Sequence, residues 1–184
     1  MARLVPLFDF DGTLVDSDAA LVAPFRTLGV DPDLVPLGLP LAAACDLAGV
    51  PVEAYLDLYD PTSSLPFDGV PELLGGLGRW GLASNKNRSS GRQELARLGW
   101  TPEVALFSDD FGGAEKQLAP LLEVLCLTPD EVVFVGDTAH DRACAARVGA
   151  PFLLAGWNPR ARAGARADDD VLDHPADLLA RLSP

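Results

Sequence analysis

The stretch LVPLFDFDGTLVDS, Leu4 to Ser17, decides how this chain is read. It opens as an apolar strand, Leu4–Phe10, and carries two aspartates one residue apart, Asp9 and Asp11, followed by Gly12 and Thr13. Turn acids commonly cap the element that follows them. Two acids at the end of a buried strand need more than a cap, because their repulsion is relieved only by a cation between or beside them.

Polar clusters at strand ends recur downstream. Asp16–Leu65 reads as short helical pieces broken by Pro and Gly: Ser17–Leu28, Leu41–Ala48 and Val52–Tyr59. Beyond it, strands are predicted at Gly81–Ala83, Val104–Phe107, Val132–Val135 and within residues 151–156. Helices are predicted at Pro71–Arg79, Asn87–Leu98, Lys116–Leu125, Thr138–Val148 and Ala176–Leu182. This alternation indicates an α/β fold with a doubly wound parallel sheet, whose strand C-termini share one edge. Ser84, Asn85 and Lys86 follow one of those strands, and Asp137 and Asp141 follow another. Residues more than a hundred positions apart thereby meet at one site. The stretch NPRARAGARADDD, residues 158–170, reads as a solvated loop.

Composition narrows the chemistry. The 184 residues carry a net charge of −13. A polyanion is a poor ligand for nucleic acid or anionic lipid, since affinity there comes from neutralising phosphates with Lys and Arg. No apolar run is long enough for a membrane span, and the N-terminus lacks the pattern of a signal peptide, so a cytoplasmic protein is expected. Cys45, Cys126 and Cys144 have no zinc-ligand spacing. Of the fourteen basic residues, twelve are Arg and two are Lys, at 86 and 116. A compact ammonium at just these places suits a phosphate site. Packed acids, a hydroxyl and a lysine together suit Mg²⁺ and a substrate phosphate.

These residues resemble the haloacid dehalogenase superfamily of aspartate-nucleophile phosphotransferases. DFDGTLVDS is similar to its first signature, LASNKNR to its strand-end Ser/Thr, AEKQLAP to its lysine segment and VFVGDTAHDRACAARVGAP to its acidic segment. The likeness is greatest to the small-helical-cap subgroup, which includes phosphoglycolate-phosphatase-like and β-phosphoglucomutase-like proteins. It implies a Rossmann-like core of residues 1–15 and 67–184 with a shortened helical cap at 16–66. It further implies Asp9 as nucleophile and Asp11 as acid and base. Thr13, Ser84, Asn85 and Lys116 would lie around the phosphate. Mg²⁺ would be held by Asp9, the Asp11 carbonyl and Asp137, with Asp141 in support. Lys86 would stand at the rim of the site. Gln117 replaces the proline the subgroup usually writes after the lysine.

The activity implied is Mg²⁺-dependent hydrolysis of a small phosphate monoester by a monomer or weak homodimer. A phosphomutase would need fuller closure than a trimmed cap offers, and a binding or regulatory protein would not need the whole acid set. Residues 16–66 hold one basic residue, Arg26, against eight acids. An acidic lid disfavours a second negative charge on the leaving group, and Arg26 is that charge's one expected partner there.

Overall fold

The computed structural model describes residues 4–182. The chain enters on β1 (Val5–Phe8), turns into β2 (Val15–Asp16), and leaves as α1 (Asp18–Thr27), α2 (Leu41–Ala48) and α3 (Val52–Leu58). It returns on β3 (Leu65–Pro66), which pairs antiparallel with β2. The path then alternates through α4 (Val70–Gly76), β4 (Gly81–Ala83), α5 (Arg88–Leu98), β5 (Val104–Leu106), α6 (Ala119–Leu125) and β6 (Val132–Gly136). It closes with α7 (Ala139–Val148), β7 (Phe152–Ala155), α8 (Pro159–Ala163), β8 (Val171–Leu172) and α9 (Asp177–Leu182).

Six of these strands form one parallel sheet in the order β5-β4-β1-β6-β7-β8. The architecture is a doubly wound, Rossmann-like α/β sheet. Winding proceeds outward from β1 to β5, then crosses back to β6 on the other side of β1, so the switch point falls at β1. Both faces are buried, as a parallel sheet with helices on each side requires. Period-two alternation sorts the strands: Phe8, Val133 and Val135 enter one apolar cluster, while Leu7, Val132 and Phe134 enter the other. The excursion α1–α3 has a third cluster of its own, built on Phe25, Ala44, Cys45 and Tyr55.

The stretch 158–170 is not the loop expected. It contains α8, and Asn158 caps that helix by accepting from the Arg160 and Ala161 amides. The Asn-Pro start is an N-cap followed by proline at the first helical position. The charge pattern alone does not reveal this start.

One close approach in the core yields a stability prediction. On α5, a Cβ at Gly91 would overlap the ring of Phe107, which is fully buried. Gly91→Ala gains up to about 1 kcal/mol of helix propensity, but a caged ring cannot yield, and overpacking of this kind costs about 1–3 kcal/mol. The variant should melt several degrees below the parent by calorimetry. An unchanged or higher melting temperature would show that the ring moves freely.

Candidate active site

The β-register builds the site. Phe8 is level with Leu82 on β4 and with Val135 on β6. The residues just past these strand ends therefore converge: Asp9 after β1, Ser84 after β4 and Asp137 after β6. The turn after β1 is tight. Gly12 has φ of +77°, and a Cβ there would strike the Asp137 carboxylate and approach the Arg160 guanidinium. Only glycine fits both demands.

Asp9, Asp137 and Asp141 form a buried trio whose carboxylate oxygens lie within 4.8 Å of one another. Lys116 Nζ reaches into it, 2.6 Å from Asp9 Oδ1 and 2.5 Å from Asp141 Oδ1. Burial raises the Asp9 pKa well above the usual carboxylate range; Lys116 opposes the rise, and the charges of Asp141 and Asp137 add to it. Asp137 is pushed up to about 7 by burial and then by Asp141, against the pull of Arg160 and Lys116. Burial works against the Lys116 ammonium, yet Asp141 and Asp9 outweigh it and hold its pKa above the ordinary value.

Asp141 has two tasks. Its Oδ2 accepts from the Thr138 amide at 2.9 Å and the Thr138 hydroxyl at 2.6 Å, closing a capping box at the start of α7. Its Oδ1 meets the lysine.

A second buried cluster surrounds Asp11. Lys86 Nζ lies 2.9 Å from Asp11 Oδ1 and 2.8 Å from Glu94 Oε1, and it donates to the Tyr59 hydroxyl at 2.8 Å. The same hydroxyl donates to Glu94 Oε1 at 2.7 Å. Burial again opposes the lysine charge, and Asp11, Tyr59 and Glu94 together raise its pKa. Tyr59 follows α3, so this cluster ties the helical excursion to the sheet. Arg160 makes a second tie, donating to Asp137 Oδ2 at 2.7 Å and, through Nε, to Asp18 Oδ2 at 2.7 Å.

Between the strand ends and the excursion lies a cavity. Its floor includes Asp9, Asp11, Ser84, Lys116 and Asp137, and its walls are mainly apolar side chains of residues 21–56.

The family described as haloacid dehalogenase-like hydrolase matches residues 52–155. The chain belongs to this family. The hydrolase is 28% identical to a phosphoglycolate phosphatase of Xylella fastidiosa, over 94% of its own length and 86% of the relative's. It is 29% identical to the N-acetylmuramic acid 6-phosphate phosphatase of Pseudomonas aeruginosa, over 94% and 92% of the two chains. Among solved structures it shares its fold with a haloacid dehalogenase-like hydrolase of Streptococcus pneumoniae, with a TM-score of 0.77, 21% identity and coverage of 98% and 99%.

The hydrolase brings Asp9, Asp11, Ser84, Asn85, Lys116, Asp137 and Asp141 to one strand edge, while Thr13 and Arg26 do not line the cavity. Thr13 is fully buried beneath Asp137, its hydroxyl donating to Asp137 Oδ1 at 3.1 Å, so it supports that carboxylate rather than a phosphate. Asn85 borders the cavity, yet both ends of its amide are engaged: Nδ2 donates to the Gly38 carbonyl at 2.7 Å and Oδ1 accepts from the Lys116 amide at 2.6 Å. Arg26 is exposed and does not line the cavity. Lys86 is the opposite case. Expected at the rim, it has a side chain 3% exposed, because Asp11 and Glu94 draw it inward.

Several further residues of the site lie outside the sequence expectations. Glu94 lies on the buried face of α5 with Ser90 and Leu95, and an acid on that face is the signal the sequence offers. Tyr59 stands in the sequence only as the end of a predicted helix. Asn158 Nδ2 donates to the Gly12 carbonyl at 2.7 Å and Trp157 Nε1 to the Thr13 carbonyl at 2.9 Å. Arg160 falls in the segment expected to be a solvated loop.

Proposed function

We propose that the chain is a Mg²⁺-dependent phosphatase that hydrolyses a small-molecule phosphate monoester through an aspartyl-phosphate on Asp9. The observation that carries this reading is the buried Asp9–Asp137–Asp141 trio with a single ammonium inside it. Three carboxylates against the Lys116 ammonium and the Arg160 guanidinium still leave net negative charge in a buried site, which is costly. An all-oxygen donor set of this kind fits a hard divalent cation. Asp9 and Asp137, with the Asp11 carbonyl implied by the family resemblance, would hold it. When bound, Mg²⁺ supplies positive charge to the phosphoryl oxygens.

The chain's own groups do the rest. The Asp9 carboxylate attacks phosphorus as the P–O bond to the alcohol breaks, and Asp11 delivers a proton to the departing oxygen. Water then attacks the acyl-phosphate, Asp11 takes its proton, and phosphate leaves with Asp9 restored. Lys116 neutralises Asp9 and the phosphoryl group, and Ser84 holds a phosphoryl oxygen. Such transfer depends mainly on position and charge. Residues 16–66 are the cap over a core of 1–15 and 67–184. The β2–β3 ribbon where the chain leaves and returns, and the separate cluster of the excursion, support this division. The acidity of the chain disfavours nucleic acid and anionic lipid as partners, and the phosphatase names of its relatives favour action on small phosphate esters, which we place in the cytoplasm.

Phosphate release from p-nitrophenyl phosphate tests the reading. It should vanish in excess EDTA and return with Mg²⁺, while Ca²⁺ should inhibit because it prefers more ligands at longer bonds. Full activity in EDTA would sink the cation assignment. No release under any condition would leave a binding protein on a hydrolase fold.

A further inference from the structure

We infer that this site, if it is the phosphatase proposed above, selects phosphate monoesters of uncharged alcohols with an aliphatic or aromatic body. The inference comes from the half of the cavity away from the strand ends. Its wall is formed by Leu21, Phe25, Val35, Leu37, Leu39 and Tyr55, all from the excursion. These side chains present carbon to any group attached to the phosphate.

Charge points the same way. Among the described residues lining the cavity, three are cationic, and each is already matched. Lys116 meets Asp9 and Asp141, Lys86 meets Asp11 and Glu94, and Arg160 meets Asp137 and Asp18. A carboxylate or second phosphate on the alcohol would face hydrocarbon, meet only neutral polar groups such as Asn87 and Ser90, or displace an existing ion pair. Burying a charge without a partner is costly. The acidic-lid argument from the sequence reaches a similar end by a different route. Of the eight acids at 16–66, Asp18 alone lines the cavity, and Arg160 neutralises it. Carbon, not negative charge, disfavours the anion.

The experiment compares kcat/KM for acetyl phosphate, phosphoglycolate, propyl phosphate and 3-methylbutyl phosphate. Acetyl phosphate makes little use of the wall and reports the phosphoryl chemistry alone. Each methylene that enters an apolar wall should raise kcat/KM about fourfold, so 3-methylbutyl phosphate, with two more carbons, should exceed propyl phosphate about fifteenfold. Propyl phosphate should exceed phosphoglycolate more than about tenfold. Calorimetry with the Asp9→Asn protein should give the same order of affinity. That order without turnover of any ester would remove the phosphatase reading and keep the inference about the cavity. Turnover of acetyl phosphate with phosphoglycolate equal to or better than propyl phosphate would overturn the inference and keep the phosphatase. In a second variant, Leu37→Arg, an unmatched guanidinium should shift the ratio toward phosphoglycolate. An unshifted ratio in a folded variant would also count against the wall as the selector.

Discussion

Asp9→Asn should reduce phosphate release by about 10⁴-fold or more, because an amide oxygen is too poor a nucleophile to attack phosphorus. The fold should survive. Removing one partner of a buried ion pair is often costly, but here Lys116 keeps Asp141 at 2.5 Å. The substitution also removes an acid whose pKa is raised by burial and by the neighbouring charges of Asp141 and Asp137. Circular dichroism and thermal melting should therefore match the parent closely while turnover disappears. Mass spectrometry of the parent, trapped with BeF₃⁻, should place the adduct at Asp9 and at no other carboxylate. Turnover by the variant near the parental rate, once deamidation back to Asp has been excluded, would remove Asp9 from the chemistry.

Asp11→Asn should slow turnover of alkyl esters by about 10²–10⁴-fold, the usual range for loss of a general acid–base. The loss should depend on the alcohol. An alkoxide needs the proton as it departs, whereas p-nitrophenolate does not. With p-nitrophenyl phosphate the first step should remain fast and the second slow, so a burst of p-nitrophenol should precede a low steady rate. Lys86 stays paired with Glu94 in this variant, so the buried ammonium is not abandoned. Equal losses on the first step for good and poor leaving groups would mean that Asp11 only shapes the turn.

Both aspartates are legible in the sequence because local rules agree there. An apolar run, two acids and a glycine specify a strand that ends in a crowded turn. The limits of Leu41–Ala48 and Gly81–Ala83 match the sequence expectation to the residue. Where pattern is weak, legibility falls. The two-residue strands Val15–Asp16, Leu65–Pro66 and Val171–Leu172 are too short to show a period, and the last is flanked by aspartates that resemble a loop.

The burial of Lys86 and the recruitment of Arg160 escape a sequence reading for a different reason. A long basic side chain is exposed by default. What buries Lys86 is Glu94, eight positions along on α5, and Tyr59, brought from the excursion. What recruits Arg160 is Asp137, supplied by another strand end. Neither partner is legible from its own neighbourhood in the chain. Thr13 departs from its expected phosphate contact because Asp137, from a distant strand end, lies above it and takes its hydroxyl.

The double duty of Asp141 carries a consequence for how such a chain diverges. One of its oxygens closes the turn that begins α7, and the other holds Lys116 beside Asp9. If the proposed roles hold, genetic lesions at Asp9 or Asp11 should leave an intact protein with little or none of its reaction, and drift can keep such a protein as a receptor for phosphorylated metabolites. Lesions at Asp141 should weaken the scaffold and the hold on the lysine together, and a destabilised protein is more open to proteolysis. A lineage that abandons catalysis is therefore expected to lose its first two aspartates and retain the fourth acid.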